Sequence, residues 1–241
     1  MPKFVELWVY LSATPLFGLT ATLLVYLLAQ AAYTAARHAP WANPVFWTVT
    51  LLAGGLLLTG VPYPTYFAGA QFIHFLLGPA VVALGWPLWQ RRADLQRRWG
   101  RLLIAALAGG LAASASALAL GWALGLPADV LLSLAPKSVT APVAMGIAES
   151  IGGIPALAAV FSVLTGLVGA ICGKYLFDAL RIPLDAAGWA ARGFALGTAS
   201  HGIGAARALQ VHPDAGAYAG LALGLQVMLT SLWLPLLFRF L

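Results

Sequence analysis

Charge is what this chain has least of: only 8% of its 241 residues are Asp, Glu, Lys or Arg, against about a quarter in an ordinary soluble domain. Charged side chains are absent from 7–36, 38–90, 102–128, 150–173 and 215–238. About 20 apolar residues suffice to cross the hydrocarbon of a bilayer, so each gap holds at least one crossing and 38–90 holds two. With 61% hydrophobic residues and a mean hydropathy of +0.90, composition excludes an ordinary soluble domain and predicts an all-α, polytopic membrane protein. The alternating ten-residue segments of a membrane β-barrel are missing as well; the runs are continuous Leu, Ala and Val.

Cysteine is nearly absent too. The single Cys172 lies inside an apolar run, which rules out a disulfide framework and a CxxC metal site and makes inert packing its expected role. The common catalytic templates GxSxG, HExxH and GxxxxGK[ST] and a paired-carboxylate arrangement do not occur, so no enzyme, cofactor or metal is expected. The first apolar run is too long for a signal sequence and lacks a basic leader and a small-residue cleavage site, so no cleavable signal peptide is expected.

What is there begins with the sign of the charge. The net +6 has a more ordinary cause than nucleic-acid binding. Five arginines (Arg91, Arg92, Arg97, Arg98, Arg101) share one short stretch with Asp94 alone opposing them, and basic clusters beside transmembrane helices mark the cytoplasmic side. The apolar runs predict helices near 7–29, 44–60, 66–89, 102–125, 155–179 and 216–238, about six full spans. Pro40, Asn43 and Pro44 mark the first loop, and Pro62 with Pro64 the next turn. With a loop at 90–101 in the cytoplasm, the N-terminus faces outside and 102–125 ends outside. The segment at 130–152 then either re-enters from the outer side, leaving Arg181 and Arg192 cytoplasmic, or crosses and inverts the later loops; the charge pattern leaves both open.

Two segments near 130–152 and 191–210 are neither loops nor plain lipid-facing helices. The first contains Pro136-Lys-Ser-Val-Thr140, then Glu149, Ser150 and Gly152-Gly153; the second contains Gly197-Thr-Ala-Ser-His-Gly-Ile-Gly204, followed by Arg207. Irregular backbone at membrane depth is tolerated only where it is buried in protein or lines a cavity, and ionisable groups held there point to a substrate or ion site. These are the marks of a carrier's binding site, and the two segments are expected to pack together with breaks at Pro136–Pro142 and Gly202–Gly204. Lys137, Ser138 and Thr140 offer an ammonium and hydroxyls to an anion, and the competing role for Lys137 is an interfacial anchor. Thr198 and Ser200 add hydroxyls, His201 is a switchable proton site or a satisfied interface histidine, and Arg207 is a carboxylate fork or an edge anchor. Glu149 is a proton or ion carrier or a turn residue. Gln71 and His74 share a helix face and form a secondary candidate pair, or an interhelical contact. Lys174 and Asp178, four apart, are expected to pair structurally.

At these residues the sequence resembles the LrgB/CidB family, the bacterial partners of the small LrgA/CidA holin-like membrane proteins. The matching stretches are Asn43-Pro44, Leu57-Leu-Thr-Gly60 with Tyr63 and Tyr66, Phe75-Leu-Leu-Gly-Pro-Ala80, Pro136-Lys-Ser-Val-Thr140, Ile151-Gly-Gly-Ile-Pro155, Leu196 through Gly204 and Ala206-Arg-Ala-Leu209. They cover roughly 40–241 of what is read as one transmembrane domain, 1–241. Gly146, where a longer and often acidic side chain is expected, and Ala141, in place of a common second threonine, depart from the pattern. The resemblance implies a bacterial inner-membrane protein, a homo-oligomer with an LrgA-like partner. It implies two functions: an antiholin-like regulator of murein hydrolase export, or a carrier of small monocarboxylates such as pyruvate, glycolate and glycerate, the last two moved by the plant plastid relative. A holin-type role has no need of broken helices holding Lys, Arg, His and Glu, so the residues favour the carrier.

Overall fold

A computed structural model describes residues 15–76, 79, 89 and 92–239. Among them there are nine α-helices and no strand: α1 Pro15–Ala35, α2 Pro44–Thr59, α3 Tyr63–Phe75, α4 Arg92–Ala123, α5 Ala128–Leu134, α6 Ala141–Ile151, α7 Pro155–Ala179, α8 Ala186–Val211 and α9 Pro213–Arg239. Within α1, α4, α7 and α9, the spans Leu16–Ala35, Gln96–Ala123, Pro155–Ala179 and Pro213–Arg239 are long and apolar enough to cross a membrane. The expected polytopic, all-helical class is what the chain adopts. Leucines such as Leu57 and Leu58, 84% and 90% exposed, suit lipid rather than water.

The chain divides into two compact units, 1–83 and 84–241. In the first, Asn43 starts α2: its Oδ1 accepts from the Val45 and Phe46 backbone N–H groups at 2.9 and 3.1 Å, with Pro44 at the first helical position. Gly60, at φ +65°, ends α2 in the left-handed conformation that glycine adopts without strain. Gly18 lets α1 approach the Tyr66 carbonyl of α3 so closely that no side chain would fit, and Thr22 Oγ1 lies 2.7 Å from Tyr66 Oη. The expected span at 66–89 appears as a helix from Tyr63 to Phe75, and its remainder lies largely outside the described residues, as does the start of the expected 7–29 span. α1 continues to Ala35 rather than stopping at 29.

In the second unit the basic stretch at 90–101 is not a loop: from Arg92 it forms the first turns of α4. Arg, Leu and Gln are good helix formers, and 32 residues make a helix about 48 Å long, enough to carry its basic end beyond a ~30 Å hydrocarbon layer.

The segment 128–151 is a hairpin. The Ile154 N–H donates to Ser133 Oγ at 2.7 Å, and Gly153 sits against the Ser133 backbone, so the chain returns at 153 to the level it left at 133. Its tip, the unwound 135–140, reaches Ser162 of α7, eight residues or about 12 Å along that helix. The hairpin closes on Gly152 (φ +89°) and Gly153, whose N–H donates to Ala148 O at 2.7 Å.

The second irregular segment is also a hairpin. α8 breaks at Ser200 (φ −127°, ψ 17°) and His201 (φ +40°, ψ −136°), not at the expected Gly202–Gly204. Gly204 instead lets the second arm, 202–211, fold back against Leu196 O, a contact impossible eight residues apart in a straight helix. At the base, the rings of Trp189 and His212 stack at 4.8 Å. α9 then runs parallel to the first arm, with Gly193 against Ala215 and Gly197 against Ala219, a pair of small residues four apart on each helix that brings backbones together. α7 runs antiparallel to the same arm, Gly173 meeting Leu196 and Gly169 meeting Ser200.

The two hairpins enter from opposite ends of this unit. The base of the second lies near Arg98 and Arg101 at the start of α4, whereas the first packs beside the end of α4, where Leu131 and Leu134 meet Gly121.

Candidate functional site

Both tips converge on one residue, Ser162 of α7. Unwinding 135–140 frees carbonyls that a helix would have used, and neighbouring hydroxyls take them: Ser114 of α4 donates to Ala135 O at 2.8 Å, and Ser162 donates to Val139 O at 2.5 Å. Orphaned backbone groups in an apolar interior are costly, so these serines stabilise the break. From the other tip, His201 Nε2 lies 2.7 Å from Ser162 O and 3.3 Å from Ser162 Oγ. Donation to that carbonyl requires the proton on Nε2 and leaves Nδ1 as the other ring site. The two irregular segments, expected to pack directly, are thus joined through α7. A strained positive φ at a non-glycine residue such as His201 persists only where surrounding contacts hold it.

Close approach comes from a stripe of small residues on α7. Ser162, Gly166, Gly169 and Gly173 are spaced 4-3-4 along one face; a side chain at Gly166 would collide with the His201 ring, and one at Gly169 with Ser200. α6 and the second arm of α8 both begin at the tips, so two helix N-termini point into this level of the protein, an arrangement that favours negative charge.

The expected site residues fall into three groups. Ser138, Ser200 and His201 are buried at the tips; Lys137 and Thr140 are partly buried beside them, the Lys137 ammonium 3.5 Å from Ser138 Oγ. No carboxylate among the described residues pairs with Lys137. Thr198, also buried, faces away from α7 toward Gly109 of α4. Arg207, 6% exposed, lies on the second arm of α8, and Glu149 is exposed in the last turn of α6, where its carbonyl accepts from Gly152 N–H.

Gln71 is exposed in the first unit, its amide donating to Ala68 O at 2.8 Å; His74 lies in the same helix, with its side chain outside the described residues. Lys174 and Asp178 pair at 2.8 Å as expected, and Arg192, buried at the base of the second hairpin, joins them through Asp178 at 2.9 Å and also donates to Ile182 O. Ser114, Ser162 and the α7 glycine stripe join the site without standing out among the motifs of the sequence. The 4-3-4 spacing of small residues was their signal, written in a run that hydropathy alone reads as a plain span.

The sequence matches the LrgB-like family over residues 22–240. The chain belongs to that family. Two Bacillus subtilis members, YxaC and YwbG, are each 34% identical to it, over 220 and 224 residues that cover 89% and 92% of this chain and 94% and 97% of theirs. A Haemophilus influenzae protein is 32% identical over 203 residues, 83% of this chain and 86% of its own. All three are described as uncharacterized proteins. No solved structure matches the chain. For this LrgB-like protein, the Pro136-Lys-Ser-Val-Thr140 and Gly197–Gly204 motifs that carried the resemblance are the two hairpin tips.

Proposed function

We propose that this LrgB-like protein is a carrier of small monocarboxylates, of the pyruvate, glycolate or glycerate class, in a bacterial inner membrane. The observation that carries the reading is the meeting of two opposed, broken hairpins at Ser162. Discontinuous helices meeting near mid-membrane give a solute a polar site that neither aqueous phase reaches at once. Lys137 supplies the counter-charge, Ser138, Thr140 and Ser200 the hydroxyls, with Thr198 on the α4 side of the same arm, and Arg207 a second cation. His201, with Glu149 as the alternative, couples transport to protons. The basic start of α4 faces the cytoplasm.

Uptake of labelled pyruvate, glycolate and glycerate into proteoliposomes, with and without a pH gradient, tests the reading. Saturable uptake that rises with an inward proton gradient is expected. A charge-assisted contact contributes about 1.5–3 kcal/mol, so Lys137→Gln and Arg207→Gln should each raise the half-saturation concentration roughly ten- to hundredfold, and His201→Ala should flatten the pH dependence. Absence of saturable uptake, together with altered hole formation by a co-expressed holin, would replace the carrier with an antiholin-like regulator.

A further inference from the structure

We infer that the basic end of α4 is the mouth of an anion-collecting vestibule, in which Arg98 and Arg101 draw anions into a groove that ends at Thr198. The inference depends on the carrier reading for its purpose but not for its geometry. The groove, about 630 Å³, runs between α4 and the first arm of α8, with Arg98 and Arg101 at the outer end, Ala195 and Tyr218 on its walls, and Gly109 and Thr198 at the inner end.

Each part has a physical consequence. Arg92, Arg97, Arg98 and Arg101 share the first turns of α4, and with Lys174, Arg181 and Arg192 they outnumber the acidic groups of this end, Asp94, Asp178, Asp185 and Asp214; a positive mouth on low-dielectric walls raises the local concentration of the opposite charge. The walls are mostly alanine and hold no acidic side chain, so an anion is not repelled along the way. At the inner end Thr198 is only 6% exposed, and its Oγ1 has no hydrogen-bond partner among the described residues. A buried hydroxyl left in that state is unusual, and rotation about the Cα–Cβ bond would turn it into the groove as a donor for a polar visitor. Gly109 lets Thr198 pack close against α4 at this inner end, since a Cβ there would meet Thr198 Cγ2 at 2.7 Å. Thr198 is two residues before the break in α8, so the groove delivers its occupant to the second hairpin tip. An anionic lipid could hold its headgroup at the same arginines, but its acyl chain would offer Thr198 nothing polar.

The test is the charge selectivity of thiol labelling. Ala195→Cys and Ala199→Cys are made in a Cys172→Ser chain, reconstituted in phosphatidylcholine, and treated with anionic MTSES or cationic MTSET. Relative to their rates on a free thiol, MTSES should be favoured about tenfold at low salt. That preference should vanish in Arg98→Gln/Arg101→Gln and fade in about 0.5 M salt, where screening is nearly complete over a few ångströms. A preference that survives the double substitution, or cysteines that neither reagent reaches because lipid fills the groove, would overturn the inference. The readout needs no transport: if labelling behaves as expected and no carboxylate is taken up, the vestibule stands and only the carrier reading falls. Where uptake is measurable, the double variant should raise the half-saturation concentration about tenfold with the maximal rate unchanged.

Discussion

Trp189 and His212 stack face to face, ring centroids 4.8 Å apart and planes within 2° of parallel, although they stand at opposite ends of the segment holding the Ser200–His201 break. A straight helix would separate them by more than 30 Å; their contact closes the base of the second hairpin. An aromatic pair contributes about 0.5–1.5 kcal/mol beyond its buried area, so Trp189→Leu should lower the thermal midpoint in detergent measurably. A midpoint equal to wild type would mean that the Gly193–Ala215 and Gly197–Ala219 contacts hold the base without the rings.

The opposed entry of the two hairpins has a topological consequence. Glu149 lies at the base of the first, whereas Arg181 precedes the second and is exposed on the same end as the start of α4. In a Cys172→Ser background, cysteines at Arg181 and Gln96 should react with an impermeant maleimide from one side of the membrane, and a cysteine at Glu149 only from the other. The basic excess near Arg98 predicts the cytoplasm for the first pair. Labelling of positions 149 and 181 from the same side would contradict the hairpin geometry itself.

The glycines of this chain do different jobs, and substitution separates them. Gly166 and Gly169 face His201 and Ser200 with no room for a Cβ, while nothing approaches Gly202 or Gly146 within 4 Å. Gly166→Ala and Gly169→Ala should depress both folded yield and transport. Gly202→Ala should leave yield unchanged or improve it, because alanine is favoured over glycine in a helix by about 1 kcal/mol. Equal losses at Gly169 and Gly202 would mean that the segment needs flexibility after His201 rather than close packing on α7.

How much of this was legible in the sequence differs between elements. The long helices follow from charge-free runs, and Asn43-Pro44 starts α2 and Gly60 ends it, as such residues do elsewhere. Gly202 and Gly204 suggest flexibility and so a break two residues after the real one at Ser200, whereas Gly204 serves close approach to Leu196 and the reversal is held by the Ser162 contacts to His201. Charge ending the apolar run suggests a loop at the arginine stretch, but nothing in Arg92–Trp99 breaks a helix. The fold-back of 186–211 is not written in local pattern: it depends on which backbone meets which, Gly204 against Leu196 O within the segment and Gly193 and Gly197 against Ala215 and Ala219 of α9.

Ser162 is where the two halves of the proposed site become one, and its hydroxyl is the most economical place to test that. It donates to Val139 O at 2.5 Å, while its own carbonyl faces His201 Nε2 at 2.7 Å. Ser162→Ala removes the first contact, together with the longer 3.3 Å approach of Oγ to His201 Nε2, and leaves the second, so Val139 keeps a freed carbonyl in an apolar interior. Such a loss costs about 1–3 kcal/mol, and the first tip should loosen while His201 stays in place. The expected result is a lower thermal midpoint and weakened carboxylate uptake with its pH dependence preserved. Ser114→Ala, which frees Ala135 O in the same way from α4, should behave alike. Ser116→Ala, whose exposed hydroxyl bonds only within its own helix, should behave as wild type. If Ser162→Ala and Ser116→Ala were indistinguishable in both stability and uptake, the convergence of the two tips on α7 would carry no energetic weight, and the binding site would have to be sought along the groove at Thr198 instead.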